Sequence, residues 1–176
     1  MSTRGPEEIL ETPRLILRRR ESSDAAVFRK LWAERDPRVP SHRRIGENGH
    51  PTEADIAAEI RAAGEAPGPQ LFTIVRRAPR DVIGYCGLVP ADYGAADEPE
   101  LAFELCRAAQ GLGFATEAAA TVIDRAATAG TERVWAAVWE WNGASRRVLE
   151  KLGFRHTDRI VGESAYGRSL LTVRVL

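Results

Sequence analysis

The chain has 176 residues, enough for one domain with a substantial core, and its 44% hydrophobic and 28% charged content is ordinary for a water-soluble protein. Its 25 basic and 25 acidic residues cancel, which removes the electrostatic case for a nucleic-acid or anionic-membrane partner. No apolar run approaches bilayer-spanning length, the first six residues lack the core of a signal peptide, and Cys86 and Cys106 fall inside predicted strands as reduced thiols, so the expected location is cytoplasmic.

In chain order, residues 1–12 read as a flexible leader and residues 13–176 as a single domain. A strand is predicted over 14–20, with a basic exit. Ser22, Ser23 and Asp24 offer N-caps for a helix that carries Val27, Phe28, Leu31 and Trp32 and stops before Asp36 and Pro37. The polar, turn-rich segment 37–51 is too long for a bland connector. Thr52 and Asp55 can cap a second helix through about Ala63, with Ile56 and Ile60 on its apolar side. Two strands, 71–76 and 82–89, are joined by Ala78, Pro79, Arg80 and Asp81 as a hairpin. After a loop holding Tyr93 comes a strand over 100–106. Phe114, Ala118, Val122 and Ala126 then recur at helical spacing. A strand over 133–139, a short helix near 145–152 and a closing strand pair at 154–159 and 170–175 complete the chain. The order β-α-α-β-β-β-α-β-α-β-β predicts one α/β domain with a mixed sheet.

Between the strand at 100–106 and the long helix lies Arg107-Ala-Ala-Gln110-Gly111-Leu112-Gly113-Phe114-Ala115-Thr116-Glu117. A glycine-containing turn that opens a helix leaves several backbone N–H groups without intrahelical partners, and the positive end of the helix dipole adds to them. Such a turn suits a phosphate or pyrophosphate, and glycine lets the ligand approach the backbone. The spacing is neither the lysine-bearing P-loop nor the dinucleotide fingerprint, because the third position of the latter falls on Thr116. Taken alone, two glycines are equally consistent with an ordinary strand-to-helix turn.

A second motif follows downstream, running from Trp141 and Asn142 through Ser145 and Leu149 to Gly153 and Phe154. Together the two motifs resemble the acyl-CoA-binding motifs of the GNAT superfamily of N-acetyltransferases. Gln110, Gly113 and Ala115 match its Q/R-x-x-G-x-G/A pyrophosphate loop, and residues 142–154 match its N-x-x-[AS]…L-G-F segment. Thr12-Pro13-Arg14-Leu-Ile-Leu-Arg18 is similar to the opening of the branch that contains the ribosomal-protein N-terminal (alanine/serine) acetyltransferases. The resemblance implies a single GNAT-type domain: a mixed, mostly antiparallel sheet flanked by helices and splayed between the strands at 100–106 and 133–139, with acyl-CoA in the splay.

Acetyl transfer from a thioester to an amine needs a neutral amine, alignment, donors for the developing oxyanion and a proton for the departing thiolate. A lysine amine has a pKa of about 10.4 and an α-amine one of about 7.7–8, so a base matters more for the former. Glu100 and Glu104 are the candidate bases; four residues apart on a strand, they share one sheet face. The alternative for both is a solvated carboxylate paired with arginine. The resemblance puts Leu149 where many members hold a tyrosine proton donor, leaving Ser145 as the nearest hydroxyl, either as donor or as helix cap. Backbone N–H groups around Leu105 and Cys106 are candidates for the oxyanion donor. Arg107, Gln110, Gly111, Leu112, Gly113, Phe114, Ala115 and Thr116 are the candidates for the phosphate end of the donor. Asn142 and Ser145 are those for its pantetheine arm. Arg146 and Arg147 are candidates for the adenosine end, and the arginines at 18–20 and 43–44 read as solvated surface or, if they line the acceptor cleft, as favouring an acidic peptide or anionic acceptor. His42, His50 and His156 lack ligand spacing, so no metal is expected.

The function expected is N-acetyl transfer from acetyl-CoA to a primary amine by direct attack in a ternary complex. The acceptor is a protein N-terminus or a small molecule, with no nucleic-acid or membrane partner and with a homodimer as an option. The contrasting reading is a CoA-binding regulatory or interaction module without catalysis.

Overall fold

In the computed structural model, which describes residues 9–65, 68–95 and 97–176, alternating apolar residues become strands and the three-to-four spacing becomes helices. In chain order the elements are β1 (Leu10–Glu11), β2 (Leu15–Arg19), α1 (Ala25–Glu34), α2 (Glu53–Glu65), β3 (Leu71–Arg76), β4 (Val82–Val89), β5 (Glu100–Leu105), α3 (Phe114–Thr128), β6 (Arg133–Trp139), α4 (Gly143–Lys151), β7 (Arg155–Ser164) and β8 (Gly167–Val175). The strands form one sheet in the order β1-β2-β3-β4-β5-β6-β8-β7. Every neighbouring pair is antiparallel except β5 and β6, which are joined through α3 and run parallel. A parallel pair requires such a crossover, and a helix of this length supplies it.

The two faces of the sheet carry separate cores. On one face α3 lays Phe114, Ala118, Ala119, Val122, Ile123 and Ala126 against Leu17, Ile74, Cys86, Leu101 and Val134. Its alanines combine high helix propensity with little bulk, so the helix axis sits close to the strands. On the other face Ala25, Phe28 and Leu31 of α1 and Ile56 and Ile60 of α2 form a smaller cluster that includes Cys106. Tyr85 of β4 meets the Phe28 ring edge-on, with centroids 5.9 Å apart. The expected Thr52–Asp55 cap of α2 is present in reciprocal form: Thr52 N–H donates to the Asp55 carboxylate (2.7 Å), and Asp55 N–H donates to the Thr52 hydroxyl (3.2 Å).

Four expectations are corrected. Residues 9–12 are not a loose leader: Leu10 and Glu11 pair antiparallel with Leu17 and Ile16, and Thr12 is buried. Residues 1–8 of that expected leader lie outside the described residues. The strand at 100–106 ends at Leu105, and Cys106 begins a 3-10 turn. The short helix begins at Gly143 instead of Ser145, because the cap is Asn142, whose Oδ1 accepts the Ser145 N–H (3.1 Å). The closing strands extend to 155–164 and 167–175, with register shifts at Ile160 that hide their alternation.

Arg18 is not free surface either. It forms a fork on Asp24 (2.7 and 2.9 Å), whose carboxylate also accepts the Glu21 N–H (2.9 Å) and the Thr73 hydroxyl (2.7 Å). Burial pushes the Asp24 pKa up, but the hydrogen bonds from Arg18, Glu21 and Thr73 outweigh it and hold the carboxyl below the usual aspartate range. A depressed carboxyl contributes stability that is complete above its unfolded pKa of about 3.9 and is lost as pH falls through the lower folded value. Asp24→Asn is expected to destabilise the fold by about 3 kcal/mol at neutral pH, measured by urea unfolding, and the deficit should shrink towards pH 2.

Candidate active site

β5 and β6 share a single bridged pair, Glu100 with Trp135, and the Trp135 N–H donates to the Pro99 carbonyl (2.9 Å). Beyond that pair the strands part. The gap is a cleft of about 1050 Å³ floored by the two strands, with the loop before α3 and the start of α4 on one side and the α1–α2 connection on the other.

The ladder determines which backbone donors face this cleft. Cys106 N–H donates to the Ile83 carbonyl (2.9 Å), towards β4. Alternation along the strand turns the Glu104 N–H the same way and those of Phe103 and Leu105 towards the gap. Cys106 is therefore excluded as an oxyanion donor, and its thiol packs with α1 and α2, whereas Leu105 presents its N–H to the cleft. The Gln110 side chain donates to the Leu105 carbonyl (2.9 Å) and ties the glycine loop to the end of β5.

Gly111 and Gly113 have φ of +74° and +83°, a left-handed conformation that side-chain-bearing residues adopt at a cost. Gly113 is the N-cap of α3, and Glu117 N–H makes the first backbone bond of the helix, to the Gly113 carbonyl (3.1 Å). The N–H groups of Phe114, Ala115 and Thr116 thus have no helix partner and point out of the helix start, the arrangement that an anionic pyrophosphate fits. A Cβ at Gly111 would meet no protein atom within 4 Å, so the loop is open on that side.

Of the residues singled out from sequence, Glu100, Glu104, Leu105, Arg107, Gln110, Gly111, Gly113, Phe114, Ala115, Thr116, Asn142 and Ser145 all line the cleft. Cys106 and Leu112 do not; the Leu112 side chain is exposed and its carbonyl accepts from Arg14 (3.0 Å). Arg147 lines the cleft, while Arg146 donates to the Glu140 carbonyl outside it. Arg43 also lines the cleft, the second of the two readings open for it.

The two glutamates share a face but not an environment. Glu104 accepts both arms of the Arg35 guanidinium (2.8 and 2.6 Å) and the Tyr85 hydroxyl (2.9 Å). Arg35 is nearly buried, stacks on Trp32 at 4.0 Å and donates to the Arg43 carbonyl (2.6 Å). Glu100 sits where the strands part and accepts the Ala137 N–H of β6 (3.2 Å). Burial raises its pKa above the usual glutamate range, although the Ala137 N–H, the nearby Tyr93 phenol and the Arg43 charge oppose the shift. Tyr93 rests on a loop held by Glu98, which accepts from Trp135 Nε1 (2.8 Å) and Arg133 (2.9 Å). Sequence reasoning missed Arg35 and Tyr85; Arg35 lies 69 residues from its partner, and no local spacing marks it.

A profile of the acetyltransferase (GNAT) domain matches residues 14–155. The chain is a GNAT acetyltransferase. It is 32% identical over 152 residues to the uncharacterized N-acetyltransferase p20 of Bacillus licheniformis, covering 84% of this chain and 83% of that one. Among solved structures, its fold matches the GNAT-family acetyltransferase of Bacillus anthracis with a TM-score of 0.76 at 18% identity, over 96% of this chain and 98% of that one. It also matches the ribosomal-protein-S5-alanine acetyltransferase of Vibrio fischeri with a TM-score of 0.71 at 19% identity, over 96% and 97%. The latter carries the fold of the branch that the opening motif resembles. The donor co-substrate of this GNAT acetyltransferase is acetyl-CoA, and the helix start and open glycine loop fit its pyrophosphate. Among the described residues no cluster of His, Cys, Asp and Glu is suited to a metal ion, and no helix is long and apolar enough to cross a membrane.

Because Gly113 is required for its backbone conformation, with only the Arg14 guanidinium 3.3 Å from an added Cβ, Gly113→Val should twist the helix start away from the donor. Calorimetric titration with acetyl-CoA is expected to show affinity lower by about tenfold or more in a folded variant, from a left-handed penalty of roughly 1–2 kcal/mol.

Proposed function

We propose that this GNAT acetyltransferase moves the acetyl group to a primary amine by direct attack in a ternary complex, with Glu100 as the general base. The observation that carries this reading is the position of Glu100 at the point where β5 and β6 part, with a raised pKa and a hydrogen bond from the Ala137 N–H rather than an arginine fork. A base with a pKa lifted towards neutrality accepts a proton from an incoming ammonium better than an ordinary carboxylate does. Glu104 has a different part. Its carboxylate is engaged by Arg35 and Tyr85, and it holds the chain after α1 against β5.

The Leu105 N–H, directed into the gap, serves the developing oxyanion. For the departing thiolate, Leu149 offers nothing: it is 3% exposed and part of the core. An ordinary thiol has a pKa of about 8.5, so its anion leaves without a strong acid, and Ser145 in the first turn of α4 or a water molecule suffices. Asn142 acts by capping α4, which holds that turn beside the cleft. The acceptor is a protein N-terminus or a small amine, and a cytoplasmic setting belongs to the same reading.

Assay of thiol release from acetyl-CoA with a panel of amines and N-terminal peptides identifies the acceptor. On that substrate Glu100→Gln should lower kcat/KM by at least about a hundredfold while acetyl-CoA still binds. The working form of Glu100 is the carboxylate, so kcat/KM should fall as pH drops through a value above the usual glutamate range, and this acid limb should vanish in Glu100→Gln. Undiminished turnover in that variant removes Glu100 as the base. Glu104→Gln should instead cost about 2–3 kcal/mol of stability, read from denaturant unfolding, because it leaves Arg35 nearly buried without its carboxylate.

A further inference from the structure

Thr12-Pro13-Arg14, part of the opening motif, has no role in the chemistry above, yet it lies against the glycine loop. The Thr12 hydroxyl (2.5 Å) and the Arg14 backbone N–H (3.0 Å) both donate to one oxygen of Glu117, in the first turn of α3. Arg14 Nε donates to the other oxygen (2.6 Å), and its Nη2 lies 2.6 Å from the same oxygen as an ion pair. Its Nη1 donates to the Leu112 carbonyl (3.0 Å), and its guanidinium lies 4.5 Å from the centre of the Phe114 ring. Neither Arg14 nor Glu117 lines the cleft.

We propose that Thr12, Arg14 and Glu117 form a clamp that positions the pyrophosphate loop from behind and thereby sets affinity for the pyrophosphate of the donor. This rests on the assignment of that loop to acetyl-CoA. Leu112 stands between two glycines in the left-handed region, so the segment has much freedom to lose on ordering. Arg14 removes that freedom at one point. In a trans peptide the C=O and N–H point in opposite directions, so gripping the Leu112 carbonyl from outside turns the Gly113 N–H the other way. Electrostatics act in the same sense. A lone carboxylate in the first turn of α3 would compete with the pyrophosphate for the positive helix end, and Arg14 neutralises it. Burial raises the Glu117 pKa, but the Thr12 and Arg14 hydrogen bonds prevail and lower it, so the group stays an anion.

The test is calorimetric titration of CoA into the wild type, Arg14→Gln, Arg14→Lys, Glu117→Gln and the Arg14→Gln/Glu117→Gln double variant, each checked for folding by thermal unfolding. Each single change should raise the CoA Kd by about tenfold, because a lysine cannot reach the carboxylate and the Leu112 carbonyl together. The double variant should be no worse than the worse single one, since both break the same clamp. Pantetheine, which lacks the pyrophosphate, should protect all five proteins equally from heat at millimolar concentration. An unchanged CoA Kd in folded single variants, multiplied effects in the double, or an equal loss for pantetheine overturns the clamp. Absence of CoA binding by the wild type overturns the pyrophosphate assignment itself, which separates the two failures.

Discussion

One bridged pair between two parallel strands governs this molecule. Glu100 and Trp135 join β5 to β6, and past them the strands diverge. Parallel strands need a crossover, so α3 must start near the far end of β5 and return behind the sheet. Its unsatisfied N–H groups therefore open beside the gap, and the backbone donors of β5 that would have met β6 face empty space. The helix start and the unpaired edge of β5 both follow from one interruption in strand pairing.

That interruption also separates two glutamates that strand geometry makes equivalent. Both lie on the face that α1 and α2 cover. Glu104 is closed off by Arg35 and Tyr85, a charge-assisted network in which every group has a partner. Glu100, two pleats away in the last bridged pair, accepts a backbone N–H instead of a fork. The difference between a carboxylate locked in an arginine fork and one left outside it comes from the neighbouring side chains, since residue type and sheet face are the same.

Much of this was legible in the chain because its signals are local. The helical spacing of Phe114, Ala118, Val122 and Ala126, the Thr52–Asp55 cap and the glycine turn that opens α3 all read correctly, since each is decided within a few residues. The failures have a common cause. Leu10 and Glu11 carry no periodicity, because a two-residue strand is too short to show one, and their order comes from pairing with Leu17 and Ile16. Asn142 and Ser145 are both competent caps, and only the helix start distinguishes them. The Arg35–Glu104 pair and the neighbourhood of Arg43 arise from packing α1 on the sheet, which no spacing encodes.

The two cores are unequal. The α3 face joins residues from six strands and two helices, whereas the α1–α2 face rests on a handful of side chains around Phe28, Leu31, Ile56 and Ile60. Local opening free energy follows the amount of apolar surface held, so the α1–α2 layer is the part of the native protein that opens first. Amide protons there are expected to exchange sooner than those of α3. The more easily opened layer therefore forms the cleft wall opposite the glycine loop.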